Sequence, residues 1–401
     1  MIIYQPQVLS VETVHVFDNK DGAVEHVAWD AYKNDTSVVL VANGADFFQH
    51  NWARFWGFNA AANVVNASTA TLDHVNITVH NGAANVYSYG DNTVVNITNS
   101  WLYSSGPVSH GLYASGNGTI HAQNIVVYSD GYRSSAFSGD APAGYVHVED
   151  AIAHTAGIGS ATFYALGVIK ANNVISVSEK GPVVFSDGDQ KIHLSNCQSK
   201  AGLLVGTVMF SSAERESSAE LSIEDSTISA TGESMPALWF GNLIANAYLS
   251  NVELETKSGI LVVANFSQIT QDFDHWASHE YNNSMEPAEV HITVEDSALK
   301  GDLIAYNSST INMALNMYTS WEGTAYAGYG DAFFGISLDA ASSWTLTADT
   351  VLQEFADNDC SLSNIHSQGY LLYYNESTPQ NKWLSGRSSK LSGGGQLKPL
   401  K

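Results

Sequence analysis

Basic residues are scarce in this chain. Its 401 residues include 16 Lys and Arg against 40 Asp and Glu, which gives a formal net charge of −24. A surface this acidic repels polyanions at long range, so we expect neither nucleic acid nor an anionic membrane surface as a partner. Polyanionic glycans are repelled in the same way unless a cation bridges them.

Cysteine and long apolar runs are also scarce. The cysteines, Cys197 and Cys360, are too few for a disulfide framework, and we interpret Cys197 as a small buried side chain. No apolar run approaches the length of a membrane span, so we expect none. The first residues, MIIYQPQVLSVETVHVF, lack the charged and apolar regions of a secretory signal. The protein is therefore either intracellular, or secreted with a signal that is not in this chain.

The residues that are abundant favour short strands joined by turns. Hydrophobic residues make up 44% of the chain and charged residues only 14%, so Ser, Thr, Asn and Gly must form much of the polar surface. β-Branched and aromatic residues favour strands, whereas Gly, Asn, Asp and Ser favour turns. This composition indicates an all-β protein.

One short phrase recurs between Leu72 and Gly301. A strand-like segment is followed by Asn or Asp, a second short strand and Gly, as in HVNITVHNG, QNIVVYSDG and SNVELETKSG. A repeat of this length indicates one structural coil stacked many times. Asn and Asp tolerate the left-handed turn conformation, so we interpret their position as a ladder of turns. The ladder positions are Asn99, Asn124, Asp150, Asn173, Asn196, Asp225, Asn251 and Asp296.

The repeat predicts a single-stranded, right-handed parallel β-helix as one domain. No helical segment intervenes, strands stacked one per turn must run parallel, and the right-handed sense is the default for parallel connections. Residues 1–60 do not fit the repeat, and we interpret them as N-terminal strands with an aromatic cap. We assign 61–305 to repeated coils with an insertion at about 265–295, and 306–401 to C-terminal strands and a tail.

Aromatic residues form a second register with nearly the same period, and they are expected to stack inside the coil or along one of its faces. An aromatic cluster in DFFQHNWARFWGF is expected to plug the first coil. The register residues are Tyr87, Tyr113, Phe137, Phe163 and Phe185.

Several coils carry the segments GLYASGNGTIHAQNI, SAFSGDAPAGYVHV and VVFSDGDQKIHLSNC, and the chain ends in SLSNIHSQGYLLYYNESTPQNKWLSGRSSKLSGGGQLKP. With the turn ladder, they resemble right-handed parallel β-helix proteins of the pectin-lyase-like superfamily, and more narrowly a group of microbial, secreted β-helix repeat proteins without a settled activity. The resemblance implies the fold and a secreted setting, whereas a fold alone does not imply a function.

The enzymes of that superfamily match this chain poorly. Pectate lyases need basic residues over a calcium-lined groove, and these coils carry few. Polygalacturonase-type enzymes carry acidic and Gly-His-Gly motifs followed by Arg-Ile-Lys; here SDGD and SHG occur in the other order, and nothing matches Arg-Ile-Lys. Asn-x-Ser/Thr sequons favour a secreted or cell-surface protein. They lie at Asn34, Asn66, Asn76, Asn96, Asn117, Asn265, Asn282, Asn307 and Asn375.

The main candidate site follows from the ladder. Four residues past successive ladder positions lie Tyr103, Tyr128 and His154, which should face outward on adjacent coils about 5 Å apart. A histidine can shuttle protons, and an arginine can hold an anionic oxygen. An ordinary polar and aromatic surface strip is the alternative interpretation. The predicted catalytic residues are His154, Arg133, Tyr128 and His110, and the predicted substrate-binding residues are Tyr103, Tyr132, Trp276 and Tyr281.

Two further clusters carry chemistry-bearing side chains. Asp187 and Asp189, with Asp140 and Asp91 in comparable turns, are either paired carboxylates or ordinary turn residues. In the insertion, His275 and His279 have the spacing of a metal pair if helical, but the segment equally suits a flap that covers a ligand with Trp276 and Tyr281. We predict no metal site and no cofactor.

Two functions remain open. The first is an enzyme that acts by acid/base chemistry on a neutral glycan or a cyclic organic molecule in a lateral groove, as a lyase, hydrolase, or isomerase or cyclase. The second is a non-catalytic secreted or cell-surface protein that binds glycans or mediates adhesion. The sequence does not indicate an oligomeric state.

Overall fold

The computed structural model describes residues 12–265, 285–328 and 330–400. It is 60% strand and 2% helix, and it forms a parallel β-solenoid of about 15 turns, which confirms the predicted fold class. The chain divides into two compact units, Met1–Leu204 (unit 1) and Val205–Lys401 (unit 2). Among the residues described, no helix is long and apolar enough to cross a membrane.

Unit 1 is built from strands that alternate between three faces. The strands are β1 (Thr13–Asp18), β2 (Gly22–Glu25), β3 (Ala28–Asp30), β4 (Ser37–Ala42), β5 (Asp46–His50), β6 (Ala53–Gly57), β7 (Ala62–Val65), β8 (Thr69–Asp73), β9 (Val75–His80), β10 (Ala84–Tyr89), β11 (Val94–Ser105), β12 (His110–Ser115), β13 (Thr119–Ser129), β14 (Phe137–Gly139), β15 (Tyr145–Thr155), β16 (Phe163–Ala165), β17 (Val168–Ser178), β18 (Val184–Asp187), β19 (Lys191–Ser195) and β20 (Gln198–Ala201).

Parallel pairing assigns each strand of unit 1 to a face. The first face consists of β1, β4, β7, β10, β12, β14, β16 and β18. The second face consists of β2, β5, β8, the first halves of β11, β13, β15 and β17, and β19. The third face consists of β3, β6, β9, the second halves of those four long strands, and β20.

The turn ladder lies between the second and third faces, as predicted. Every ladder residue named above has a positive φ, between 46° and 55°. The side-chain amide of Asn124 donates to Asn99 Oδ1 at 2.8 Å, and that of Asn99 donates to Asp73 Oδ1 at 2.8 Å. Asn173 donates to Asp150 Oδ1 at 2.6 Å. Each amide thus ties one turn to the preceding turn, which explains why Asn and Asp recur there.

The aromatic register is different from the prediction, because it is split between two columns. Tyr87 pairs with Tyr113, but Phe137 pairs with Leu112 and not with Tyr113. A shift of one residue places a side chain on the other surface of a strand. Phe137 then stacks on Phe163 with their ring centroids 5.5 Å apart, and all of these residues are buried.

Residues 13–57, which the sequence analysis interprets as N-terminal strands with an aromatic cap, form strands that continue the solenoid. The strands β1, β2 and β3 pair in parallel with β4, β5 and β6 of the next turn. Phe47 and Phe55 are buried within these turns, whereas Phe48 and Trp52 are exposed. The aromatic side chains therefore fill and cover ordinary turns.

Unit 2 has the same parallel arrangement. Its elements are β21 (Thr207–Phe210), β22 (Glu216–Glu224), β23 (Thr227–Ala230), β24 (Leu238–Gly241), β25 (Leu243–Ser250), β26 (Glu253–Thr256), β27 (Ile260–Asn265), β28 (Glu289–Glu295), β29 (Ala298–Lys300), β30 (Asp302–Ala305), β31 (Ser309–Asn316), β32 (Ser320–Gly323), β33 (Ala325–Ala327), β34 (Ala332–Leu338), β35 (Ser343–Leu346), β36 (Thr350–Leu352), β37 (Glu354–Asp357), β38 (Ile365–His366), β39 (Leu371–Asn375), a 3-10 helix (Pro379–Leu384), β40 (Ser389–Lys390) and β41 (Gln396–Leu400).

Buried tryptophans mark the core of unit 2. Trp321 and Trp344 lie on adjacent strands and stack with their ring centroids 4.7 Å apart. The indole N–H of Trp321 donates to the carbonyl of Gly301, and that of Trp344 donates to the carbonyl of Gly323. Their polar atoms are thereby satisfied although the rings are buried. The tail ends in β41, which pairs with β39 in parallel and with β40 in antiparallel orientation.

Candidate functional site

The predicted column lies on the third face of unit 1. Strand pairing places Tyr103 beside Tyr128, and Tyr128 beside His154. The ring centroids are 5.7 Å apart for the stacked tyrosines and 4.7 Å apart for the edge-on contact between Tyr128 and His154. The structure therefore brings together three of the predicted site residues.

The column continues toward the N-terminus as a longer run of rings. His80 lies 6.0 Å from Tyr103, Trp56 lies 5.7 Å from His80, and Tyr32 lies 5.2 Å from Trp56, measured between ring centroids. Sequence reasoning missed Trp56 because it assigned that residue to a cap. We call the whole run the aromatic strip; it consists of Tyr32, Trp56, His80, Tyr103, Tyr128 and His154.

An apolar column runs beside the aromatic strip. Trp101, Val126, Ile152 and Ile175 lie on adjacent strands, and between 38% and 53% of each residue is exposed. Because Val126 is smaller than its neighbours, a shallow recess of about 560 Å³ lies above it, which we call the Val126 recess. Its lining residues are Trp101, Tyr103, Val126, Val127, Tyr128, Ile152 and His154. None of them is Asp, Glu, Lys or Arg, so the recess suits a ligand without charge.

Acid/base groups lie at one edge of the recess. His154 Nε2 is 2.7 Å from Glu179 Oε1, so a carboxylate orients the imidazole. Burial raises the pKa of Tyr128, and the nearby carboxylates of Asp130 and Glu179 raise it further. The Tyr128 phenol is thus protonated at neutral pH and available as a hydrogen-bond donor, beside an imidazole that can exchange a proton.

His110, a predicted catalytic residue, lies away from the aromatic strip. It is in β12 on the first face, where only 4% of it is exposed. Its Nδ1 accepts a hydrogen bond from the backbone N–H of Ser135, and its ring stacks on Tyr113. Burial lowers the pKa of His110 to about 4, so the ring is neutral at pH 7. These contacts indicate a packing role.

Arg133 and Tyr132 lie in the turn that leads from the third face to the first. Arg133 has a positive φ of 53°, and its guanidinium carbon is 5.4 Å from the centre of the Tyr132 ring. Burial and the carboxylates of Asp140 and Asp187 raise the pKa of Tyr164, a residue of β16 on the first face, and the Arg133 charge partly offsets that rise. Tyr132 is 44% exposed. Neither residue lines the Val126 recess.

The acidic candidates have different environments. Asp140 accepts a hydrogen bond from the Tyr113 hydroxyl, and burial raises its pKa, so it belongs to a buried network with His110. Asp91, in contrast, accepts a hydrogen bond from the Asn117 amide at 2.7 Å, which is a turn role. The structure gives Asp140 and Asp91 different roles, although the sequence places both in turns.

The predicted insertion site lies largely outside the described residues. Trp276 and Tyr281 fall in the segment 266–284, as do His275 and His279 of the proposed metal pair. Within the part of the chain that is described, no group of three or more His, Cys, Asp or Glu side chains could hold a metal ion.

Sequence reasoning missed a second set of side chains, on the second face. His121, His147, Lys170 and His193 lie on adjacent strands and line another recess. Each lies three residues before a ladder position in the sequence. The same counting that found the aromatic column would therefore have found this one.

Comparison with protein-family models, with curated proteins and with solved structures finds no match to this chain. The architecture and the chemistry of its surfaces are therefore the basis for a functional proposal.

Proposed function

We propose that unit 1 binds a neutral glycan on its third face and seats one sugar ring in the Val126 recess. The observation that supports this proposal is the uncharged Val126 recess beside stacked aromatic rings. Trp101 and Tyr103 offer apolar ring surface to the C–H groups of a sugar, while the Tyr128 hydroxyl and the His154 imidazole can hydrogen-bond its hydroxyls. A charged ligand would find no Asp, Glu, Lys or Arg side chain among the residues that line the recess.

The length of the aromatic strip favours a chain of sugars over a single one. Neighbouring rings of the strip lie between 4.7 and 6.0 Å apart, so each turn presents a new ring. Tyr32 and His154 are the two ends of the continuous run of contacts. A linear glycan lying along the third face would therefore meet several rings in succession.

The resemblance to secreted β-helix proteins of the pectin-lyase-like superfamily supports an extracellular or cell-surface setting. The sequons support that setting unequally. Asn34 and Asn76 are exposed. The side-chain nitrogen of Asn66 instead donates to Asn43, and that of Asn117 donates to Asp91. Because a glycan is attached at this nitrogen, Asn34 and Asn76 are the better acceptors.

A second candidate function is acid/base catalysis on the ring held in the Val126 recess. The hydrogen bond between His154 and Glu179 favours it, because a carboxylate that orients an imidazole is a common arrangement for proton transfer. His154 would take or give the proton, Glu179 would position His154, and Tyr128 would donate a hydrogen bond to a substrate oxygen. The reaction could be an elimination, a hydrolysis or an isomerisation.

A panel of neutral oligosaccharides tests both functions. Binding is measured by calorimetry with the native protein, with Val126→Trp, which fills the recess, and with Trp101→Ala, which removes one wall. Tyr132→Ala is the matched control, because Tyr132 is an exposed aromatic residue outside the recess. We expect both recess variants to weaken binding at least about tenfold, and the control to leave it unchanged.

Product analysis separates the two functions. Binding without any product supports a binding protein, whereas product that disappears in His154→Ala supports an enzyme. Equal affinity of Val126→Trp and the native protein, or no binding by any neutral glycan in the panel, would overturn the proposed site.

A further inference from the structure

The second face of unit 1 carries a column of side chains that can become positively charged. Strand pairing places His121 beside His147, His147 beside Lys170, and Lys170 beside His193. The ring centroids of His121 and His147 are 4.9 Å apart. We call this column, together with the recess of about 550 Å³ that it lines, the imidazole groove.

Uncharged hydrogen-bonding groups form the other side of the groove. Thr98, Gln123, Asn172 and Ser195 line it together with Glu149, and their column continues past Thr98 to the Asp73 carboxylate, which does not line the groove. This side therefore offers amide and hydroxyl groups to a ligand. The groove combines several nitrogen bases with a single acidic group, which is unusual on a chain with a net charge of −24.

The charge of the groove depends on pH. Burial lowers the pKa of His147, and the charges of His121 and Lys170 lower it further. The titratable groups around His147 are His121 on β13, Lys170 on β17, and Tyr145 and Glu149 on its own strand; β14 (Phe137–Gly139) has none. At neutral pH Lys170 and Glu149 balance each other. Acidification adds positive charges that repel one another across neighbouring strands.

We propose that the imidazole groove is an acid-gated binding site for a multivalent oxyanion, a small molecule that carries several carboxylate or phosphate groups. Such an anion bridges neighbouring imidazolium groups and the Lys170 ammonium, and so offsets their mutual repulsion. Its remaining oxygens accept hydrogen bonds from the amides of Gln123 and Asn172. Above neutral pH the imidazoles lose their charge, Glu149 remains ionised, and the anion is released.

The proposal is tested with inorganic tripolyphosphate and with tricarballylate as probes, at constant ionic strength, near pH 5 and near pH 8. Binding is measured by calorimetry on the full chain. We expect binding to be at least about tenfold tighter at the lower pH, because histidine side chains gain positive charge as the pH falls. If only one probe binds, the groove prefers that type of oxyanion, and the proposal stands for that type.

Three variants test whether the residues of the imidazole groove cause the pH-dependent binding. The double variant His121→Gln and His147→Gln should lose the tenfold gain at low pH and leave the weak binding at high pH unchanged. Glu149→Gln should bind more tightly than the native protein at both pH values, since it removes the opposing charge. His291→Gln, which changes an exposed histidine of β28 in unit 2, is the control and should behave as the native protein.

Circular dichroism of each variant checks that the fold is kept. The proposal is overturned if neither probe binds near pH 5, if affinity does not change with pH, or if the double variant of the groove behaves like His291→Gln.

Discussion

His154 Nε2 lies 2.7 Å from Glu179 Oε1, one turn farther along the solenoid, and both side chains are partly exposed. The contact joins the end of the aromatic strip to a carboxylate that does not line the Val126 recess. Glu179 would therefore act on a ligand through His154. This arrangement gives the two proposed functions different consequences for a change at Glu179.

Changing Glu179 to Gln should reduce turnover more than binding if the site is catalytic. Gln keeps the size of the side chain but removes the carboxylate that contacts the His154 imidazole. We expect kcat to fall and KM for the neutral glycan to stay nearly constant, with His154→Ala reducing kcat by about 10²- to 10⁴-fold. Steady-state kinetics measures both. A rise in KM at unchanged kcat would show that Glu179 only shapes the binding surface.

The turn ladder should respond differently to Ala and to Gly. Asn124 has a φ of 52° and donates to Asn99 Oδ1. In Asn124→Gly the conformation is kept and one hydrogen bond is lost, which costs about 1 kcal/mol. In Asn124→Ala the left-handed conformation costs roughly 1–2 kcal/mol in addition. Urea denaturation should therefore rank the native protein above Gly and Gly above Ala; equal stability of the two variants would contradict the ladder's conformational role.

Acid should destabilise unit 1 through His110. Burial lowers the pKa of this residue to about 4 from 6.5, so the unfolded chain binds the proton first as the pH falls. The stabilising contribution is complete above pH 6.5 and is lost as the pH falls toward about 4, by up to roughly 3 kcal/mol. His110→Gln does not titrate. The difference in unfolding free energy between native protein and variant should shrink over this range, and a constant difference would refute the prediction.

The two cysteines should differ in reactivity. Cys197 is buried and burial raises its pKa to about 11, whereas Cys360 is exposed. Since the thiolate is the reactive form, a thiol reagent at neutral pH should modify Cys360 in the folded protein and Cys197 only after denaturation. Mass spectrometry of the labelled peptides measures which of the two cysteines has reacted. Labelling of Cys197 under native conditions would show that unit 1 opens at that turn.

The fold was predictable because the ladder residue occurs at the same position in successive turns of the solenoid. Each turn needs a residue that tolerates a positive φ, and from Asn99 to Asp296 Asn or Asp supplies it. Earlier turns use His26, Asn51 and His74 at the corresponding bends. Histidine also occurs in this conformation, but it does not look like a ladder residue in a sequence. The first turns were therefore assigned to a cap.

The candidate site was predictable only where it follows from strand register. Tyr103, Tyr128 and His154 are equivalent positions of successive turns, so counting from the ladder found them. His110 and Arg133 were chosen because they are close in sequence, but His110 lies on the first face and Arg133 lies in the turn between the third face and the first. The face that a residue reaches after an irregular turn depends on the backbone path through that turn. The repeat in the sequence does not predict this path.

A turn amide outside the ladder, that of Asn117, has a consequence for how the protein ages. Asn117 precedes Gly118, a sequence in which the side-chain amide is readily lost over time, and its amide donates to the Asp91 carboxylate. Conversion of that amide to an acid would exchange a hydrogen bond for two facing carboxylates. A hydrogen bond between neighbouring turns thus depends on an amide that is slowly lost. Chemical change, and not only heat, therefore limits the lifetime of the fold.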